Sequence, residues 1–145
     1  MTSIDPQHLA QVRAQYAHCF GCGLENPIGL QVDRFERDGQ TIRAEFTPRD
    51  DHRGFHDILH GGIVATALDE ILAWTGILVA GTMALTAKIE MRFRNPAPAL
   101  ATYQLEGRLV EQQGRRLLIE GRCLVGDTVI AEANALFLAT DTVDL

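Results

Sequence analysis

The chain has few cysteines, no excess of positive charge, and neither repeats nor low-complexity tracts. Three cysteines in 145 residues are too few for a disulfide framework, which makes the reducing cytoplasm the expected location. A formal net charge of -6 argues against nucleic acid as a partner, because phosphate contact needs a basic face. The first 17 residues are polar and do not resemble a signal peptide. We therefore expect one globular domain over residues 1–145, with a short helix within residues 1–17.

One long segment lacks charge altogether. Residues 71–87 contain no Asp, Glu, Lys or Arg, and their length is close to the lower limit of ~17 residues for a membrane-spanning helix. Gly76 and Thr82 interrupt the segment, and Asp69 and Glu70 stand directly before it. These residues favour a buried helix followed by a strand over a membrane span.

Hydrophobic periodicity predicts two helices and six strands. The long second helix is apolar nearly all round, so it is expected to be buried. The last four strands are joined by short connections, which predict three consecutive hairpins and an antiparallel sheet. A curved antiparallel sheet around one buried helix is an α+β fold, the hotdog architecture. The predicted helices are 6–16 and 61–79, the strands 30–35, 41–46, 88–94, 102–110, 116–125 and 128–138, and the turns 38–39, 95–98, 112–114 and 126–127.

The start of the long helix carries the most chemical information. Gly61 and Gly62 leave backbone N–H groups bare at the positive end of the helix dipole, where a developing oxyanion is stabilised. Asp69, about two turns further on, is a candidate base or nucleophile for attack on a carbonyl carbon.

Three segments resemble PaaI-like acyl-CoA thioesterases of the hotdog fold. The first is His60-Gly61-Gly62 with an acid nine residues after the histidine. The second runs from Cys19 to Leu30 (CFGCGLENPIGL), and the third is the strand end at 93–96 (FRNP), where the family usually has Arg-Pro. The resemblance covers the chain from about residue 19 to its end.

The resemblance implies hydrolysis of acyl-CoA thioesters without a metal or an organic cofactor, coenzyme A being part of the substrate. The family's acid corresponds to Asp69, as general base or nucleophile. Its oxyanion donor corresponds to the N–H of Gly61, with Gly62 beside it. His60 then lies near the thioester carbonyl or orients the turn.

The spacing of these residues also predicts an assembly. Gly61 and Asp69 are eight positions apart, which is ~12 Å along a helix, whereas reacting atoms must lie within ~3.5 Å. Both can serve one carbonyl only if they come from two antiparallel helices, so we expect a homodimer with shared sites, which could pair further into a tetramer. Small residues flank Asp69, Thr66 and Ala73 among them, and leave room for an acyl chain or a partner helix.

Three features of the site have more than one interpretation. Many relatives have Ser or Thr four residues after the acid to hold the water; this chain has Ala73, and Thr66 is the candidate replacement. Arg92 and Arg94 share the outward face of a predicted strand, where they are either solvated or bound to coenzyme A phosphates. Glu70 faces away from Asp69 and is expected to pair with an Arg or to close the dimer interface.

Metal binding is not predicted. His52, His56 and His60 are spaced by four, but they lie mostly in a loop, where that spacing does not bring side chains together. Cys19 and Cys22 have half of a zinc spacing without a second pair, and Cys123 stands alone in a strand. Buried thiols in a glycine-rich loop are the simpler interpretation.

Three other functions fit parts of the pattern. A hotdog hydratase or dehydratase would use a differently placed His–acid pair. A non-catalytic acyl-CoA sensor is a second alternative, but relatives of that kind carry a DNA-binding segment, and the residues before Cys19 are too few for a helix-turn-helix. An interaction module that kept the fold and lost activity would have no need of the hydroxyl missing at Ala73.

Overall fold

The computed structural model describes residues 3–140, and these residues form a six-stranded sheet packed against one long helix. The elements in chain order are α1 Pro6–Ala14, β1 Asp33–Asp38, β2 Thr41–Phe46, a 3-10 turn Asp50–His52, α2 Gly61–Thr75 with a π-helical turn Gly76–Ala80, β3 Ala84–Phe93, β4 Tyr103–Gln113, β5 Arg116–Val125 and β6 Thr128–Ala139.

The sheet is antiparallel throughout, with the strand order β1-β2-β4-β5-β6-β3. Helix α2 lies across one face, and the side chains between helix and sheet form one hydrophobic core. The backbones approach closely at Gly107 and Gly121, where a Cβ would overlap the Thr75 and Leu72 side chains of α2. This arrangement confirms the predicted hotdog fold.

Helix α2 begins at a local N-cap, and its position is determined by the burial of its apolar side chains against the sheet. The His60 side chain accepts a hydrogen bond from the Gly62 N–H and so serves as the N-cap. The stretch Gly61–Ala80 is long and apolar enough to cross a membrane, but core helices of globular proteins share this property. Here Leu68, Ile71 and Leu72 are fully buried against the sheet, which fits the prediction of a core helix.

The prediction that α2 is buried all round is wrong in one respect. One stripe of the helix, with the i, i+3, i+4 and i+7 spacing of a single face, is only partly covered by residues 3–140. Its members are small apart from one carboxylate: Gly62, Ala65, Thr66, Asp69 and Ala73. The uncovered stripe lies beside the edge strand β3, whose Thr86 reaches Asp69.

The predicted hairpin between β3 and β4 is also wrong, because β3 pairs with β6 and β4 pairs with β2 and β5. Residues 94–102 instead carry the chain past the start of α2. There the Leu59 N–H donates to the Ala97 carbonyl at 2.8 Å, and the Ala99 N–H donates to the Asp57 carbonyl at 2.7 Å. Pro96 and Pro98 lack N–H donors, so this segment cannot continue the ladder of β3. The other two predicted hairpins are present.

The first strand begins three residues later than the pattern predicts. Residues 30–32 are held by the N-terminal loop, because the Leu30 and Val32 N–H groups donate to the carbonyls of Phe20 and Gly21. Strand β1 therefore pairs with β2 only from Asp33 onward. The same hydrogen bonds fix the glycine-rich loop against the body of the molecule.

Candidate active site

The α2 N-terminus presents one backbone donor that no described residue uses. The Gly62 N–H is bound to Nδ1 of His60 at 2.9 Å, whereas no acceptor for the Gly61 N–H is found among residues 3–140. Both glycines are exposed. Because Nδ1 of His60 accepts, the proton of the neutral imidazole is on Nε2. Of the two glycines, Gly61 is therefore the one whose N–H is unused by the described residues, and His60 caps the helix.

A groove of about 380 Å³ opens at the same helix end. Gly61 forms part of its wall, and a Cβ added there would meet the Phe93 ring at 3.9 Å, an ordinary contact. The Gly61 N–H thus lies at the edge of a largely apolar groove of ligand size. The lining residues are Ile58, Leu59, Gly61, Val64, Phe93, Arg94, Asn95, Pro96 and Ala97.

Asp69 lies on the uncovered stripe of α2, half-buried, with one side-chain partner. The Thr86 hydroxyl, on β3, donates to Oδ1 of Asp69 at 2.7 Å. No partner for Oδ2 is found among the described residues. The carboxylate is therefore held in a fixed direction while one oxygen can accept a proton from water or attack a carbonyl carbon.

Sequence reasoning missed Thr86, and a β-bulge explains why. Strict alternation from Ile89 and Met91 places Ala87 on the helix-facing side and Thr86 on the outer side. The β3–β6 register shifts between Thr86 and Lys88, so one extra residue enters and the parity reverses. Thr86 thereby faces α2, opposite the buried Phe137. Bulges are not visible in hydrophobic alternation, so the sequence carried no signal for this partner.

Thr66 does not reach Asp69, although it was the predicted replacement for the missing hydroxyl at position 73. Its Oγ1 donates to the Gly62 carbonyl, one turn back along the helix, at 2.8 Å. Thr66 and Ala73 do lie on the same stripe of α2 as Asp69, on either side of it. Their predicted place beside the reacting carboxylate agrees with this geometry, whereas the predicted role of the Thr66 hydroxyl does not.

Gly61 and Asp69 remain apart within one chain. Both belong to α2, at its first turn and two turns later, which corresponds to ~12 Å along the axis. The structure therefore leaves one chain with an oxyanion donor and a carboxylate that cannot meet at a single carbonyl carbon.

Arg92, on β3, and Arg94, directly after β3, differ in their surroundings. Arg94 forms an ion pair with Glu132 on β6, its Nη2 lying 3.0 Å from the carboxylate, and it also lines the groove beside Gly61. Arg92 is exposed and forms no ion pair with a described residue. Arg92 is thus the freer of the two predicted phosphate ligands.

Among residues 3–140, His52, His56 and His60 do not form a group of metal-ligand atoms. His52 is buried, and its Nδ1 accepts the Arg49 N–H at 3.0 Å. Burial, and secondarily the Arg49 charge, lowers the pKa of His52 below its usual value. His56 is exposed and packs edge-on against Phe55, while His60 caps α2. The three histidines serve three different local purposes.

Glu70 is expected to face away from Asp69 and either to pair with an Arg or to close the dimer interface; among residues 3–140 it pairs with no Arg. The Glu70 carboxylate accepts a hydrogen bond from the Trp74 indole N–H at 3.1 Å and lies 3.6 and 3.7 Å from the Cys19 sulfur. Cys22 is buried beside it. Burial raises the pKa of Cys22, and the negative charge of Glu70 raises it further.

Comparison with known proteins agrees with this geometry. Residues 56–131, which include the α2 start and Asp69, match the Thioesterase superfamily. A curated bovine protein, acyl-coenzyme A thioesterase THEM4, is 27% identical over 141 residues, which cover 95% of this chain and 58% of that protein. The chain thus spans little more than half the length of this relative.

Two solved structures share the fold. The E. coli PaaI protein from the phenylacetic acid degradation operon superposes with a TM-score of 0.75 at 15% identity, over 95% of this chain and 98% of its own. A Streptococcus mutans protein bound to acetyl CoA gives a TM-score of 0.69 at 17% identity, over 77% and 88%. By its sequence match the chain belongs to the thioesterase superfamily, and it has the hotdog fold that the E. coli PaaI protein shares.

Proposed function

We propose that the protein hydrolyses acyl-CoA thioesters to a carboxylic acid and coenzyme A. The observation that carries the proposal is that one helix, α2, has an unused N–H at its start and a half-buried carboxylate, held by Thr86, two turns later. An oxyanion donor and a base or nucleophile are what attack on a thioester carbonyl requires. The bovine relative is named an acyl-coenzyme A thioesterase, and one protein of the same fold is bound to acetyl CoA.

In the proposed reaction Asp69 either removes a proton from water or attacks the carbonyl carbon itself. The Gly61 N–H stabilises the oxyanion of the tetrahedral intermediate, and the C–S bond breaks to release coenzyme A as a thiolate, which takes up a proton. If Asp69 is the nucleophile, water then hydrolyses the acyl–Asp69 anhydride, which releases the acid and restores the carboxylate. Overall one water is consumed, and one acid and one thiol are formed. The reaction centre uses neither a metal nor an organic cofactor.

Two chains are needed to assemble such a site, so the proposal includes a homodimer. Among residues 3–140, strand β3 of ten residues pairs only with β6, and no described strand pairs with its other edge. Its exposed apolar side chains include Leu85 and Phe93, with exposed fractions of 59% and 55%. The uncovered stripe of α2 lies next to this edge. A partner that covers both would bring its own Gly61 toward Asp69.

The groove beside Gly61 is the proposed entry for the thioester, and the exposed Arg92 is the proposed contact for a coenzyme A phosphate. Because Arg94 is already paired with Glu132, it contributes mainly to the groove wall. With three free thiols, a reducing compartment such as the cytoplasm is the proposed setting.

Thr86 favours an active enzyme over an interaction module that has lost activity. The argument for loss of function was the absent hydroxyl at Ala73. Thr86 supplies a hydroxyl to the carboxylate from a different element, and a module without chemistry has no need to orient Asp69 in this way.

The test is thiol release from a panel of acyl-CoAs, aliphatic from short to long and aromatic, with the wild type, Asp69→Asn and Asp127→Asn. We expect Asp69→Asn to lose about 10²-fold or more in kcat while it still binds a non-hydrolysable acyl-CoA analogue. Asp127, in the β5–β6 turn, is the matched control and should retain full activity. Absence of release from every acyl-CoA, or release that does not depend on Asp69, would overturn the proposal.

A further inference from the structure

Cys19, Cys22 and Glu70 bring three metal-ligand atoms together outside the proposed active site. One atom from each side chain lies within 4.8 Å of the other two, and among residues 3–140 this is the single group of three His, Cys, Asp or Glu side chains so placed. The Cys19 sulfur is 3.6 Å from one Glu70 oxygen and 3.7 Å from the other. The two cysteines come from the N-terminal loop and the glutamate from the middle of α2, 51 positions after Cys19.

The loop is shaped to bring its thiols to this carboxylate. The Gly23 N–H donates to the Cys19 carbonyl at 2.8 Å and closes a turn around the two cysteines. Gly21, between them, lies directly against Glu70, so that a Cβ at this position would overlap the carboxylate. A larger side chain at position 21 would push the Glu70 side chain away from the two cysteines. The close approach of Gly21 to Glu70 is an observation independent of the cysteine spacing.

The charge of Glu70 has no counterpart in its surroundings. Its one nitrogen donor is the neutral indole N–H of Trp74, and no Lys, Arg or His among the described residues forms an ion pair with it. Cys22 is buried and Cys19 is half-buried, so the carboxylate faces two thiols in a poorly solvated cleft. A half-buried carboxylate costs free energy unless it is paired, and a cation between the three side chains would pair it.

Two thiolates and a carboxylate form a donor set that suits Zn²⁺, and a C-x2-C spacing is common in zinc sites. Zinc–sulfur bonds of ~2.3 Å in a tetrahedral site put the two sulfurs about 3.8 Å apart. The two sulfurs lie within 4.8 Å of each other, so they are at most about 1 Å further apart than this. Three protein ligands leave the fourth position to a water molecule.

We propose that Cys19, Cys22 and Glu70 form a Zn²⁺ site that fastens the N-terminal loop to helix α2. On binding, the two thiols release their protons and the carboxylate exchanges its present contacts for the metal, with no change of oxidation state. Glu70 precedes Ile71 in the core and follows Asp69, but it is turned ~100° around the helix from Asp69. The site is therefore a structural clip behind the proposed reaction centre and takes no part in the thioester chemistry.

The test is a cobalt titration of the untagged full-length protein, freed of metal with a chelator and kept reduced with a phosphine. Co²⁺ reports thiolate ligation through a charge-transfer absorption, and Zn²⁺ then displaces it. We expect one Co²⁺ per chain in the wild type and no thiolate band in Cys19→Ser or Cys22→Ser. Glu70→Gln should keep the band and weaken the affinity at least about tenfold. The control is Cys123→Ser, which removes a buried thiol elsewhere and should bind as the wild type does.

The wild-type titration tests the existence of the metal site even where a variant folds poorly. A reduced wild type without a saturable thiolate band overturns the site, as does a band that persists in Cys19→Ser and Cys22→Ser. If the wild-type protein loses the mass of two hydrogen atoms in air and binds no Co²⁺ when reduced, Cys19 and Cys22 form a disulfide redox couple. This result would also overturn the proposal. Because the titration measures no hydrolysis, its outcome is separate from that of the proposed activity.

Discussion

Thr86 is the single residue that sets the direction of the Asp69 carboxylate within one chain. Its hydroxyl donates to Oδ1 at 2.7 Å, and no other side-chain donor to Asp69 is found among residues 3–140. A hydrogen bond to a charged group contributes ~1.5–3 kcal/mol, enough to hold one rotamer against thermal motion. Thr86 is exposed, so its role lies in positioning Asp69 and only slightly in stability.

Replacing Thr86 by Val removes this hydrogen bond and keeps the shape of the side chain. We expect kcat for acyl-CoA hydrolysis to fall about tenfold, with KM and the melting temperature little changed. Thr66→Val is the matched comparison, because its hydroxyl is bound to the Gly62 carbonyl and should matter less than about threefold. Steady-state kinetics on both variants give the answer. A larger loss in Thr66→Val than in Thr86→Val would reassign the positioning role to Thr66.

These two threonines show which parts of the site were accessible to sequence reasoning. His60, Gly61, Gly62 and Asp69 belong to one helix, and local hydrogen bonding and a fixed rise per residue place them whatever the rest of the chain does. Thr86 depends on a bulge at β3, and Glu70 depends on a loop 51 positions away in sequence. Register and long-range packing are tertiary properties, so alternation and spacing could predict neither contact.

At the scale of elements, the β4–β5 and β5–β6 hairpins depend on local sequence, whereas the connection between β3 and β4 depends on long-range packing. The β4–β5 and β5–β6 turns are encoded locally by Gly114 and Gly126, both with positive φ. The segment 94–102 instead takes its course from hydrogen bonds to residues 57–59. The sequence thus predicted the number of strands and, to within one residue, the bounds of β2, β5 and β6. It missed both ends of β1 and the end of β4 by three residues, the start of β3 by four, and the position of β3 at the edge of the sheet.

The edge position of β3 makes this strand the element on which dimer formation should depend. Leu85 is 59% exposed there, although it lies in a strand and its pairing partner is Leu138 of β6. Leu85→Glu places a charge on the surface that a partner would cover, and we expect the dimer dissociation constant to rise at least about tenfold. Leu24→Glu, a change at an equally exposed leucine of the N-terminal loop, is the control. Sedimentation equilibrium measures both, and equal effects of the two changes would contradict a β3 interface.

At the scale of the whole molecule, the distance between Gly61 and Asp69 makes the proposed mechanism depend on the assembly of two chains. Each proposed site takes its oxyanion donor from one protomer and its carboxylate from the other. Gly61→Pro deletes the donor with little cost to the fold, because proline suits the first position of a helix. His60 has φ -59° and ψ 132°, which a following proline permits. Gly61→Ala keeps the N–H and serves as the control for added bulk, since the nearest atom to its Cβ is 3.9 Å away.

Heterodimers made from differently tagged chains then distinguish sites that are shared between two chains from sites that are complete within one chain. An Asp69→Asn chain paired with a Gly61→Pro chain retains one intact shared site, so we expect about half of the wild-type kcat per dimer, although each homodimer loses ~10²-fold or more. The reciprocal heterodimer joins a wild-type chain to a chain carrying both changes. If sites are shared, it has one defect in each site and should be nearly inactive; if each chain holds a complete site, it should keep half of the activity. Since both heterodimers contain the same two substitutions, a difference in their rates can arise only from how the two chains combine.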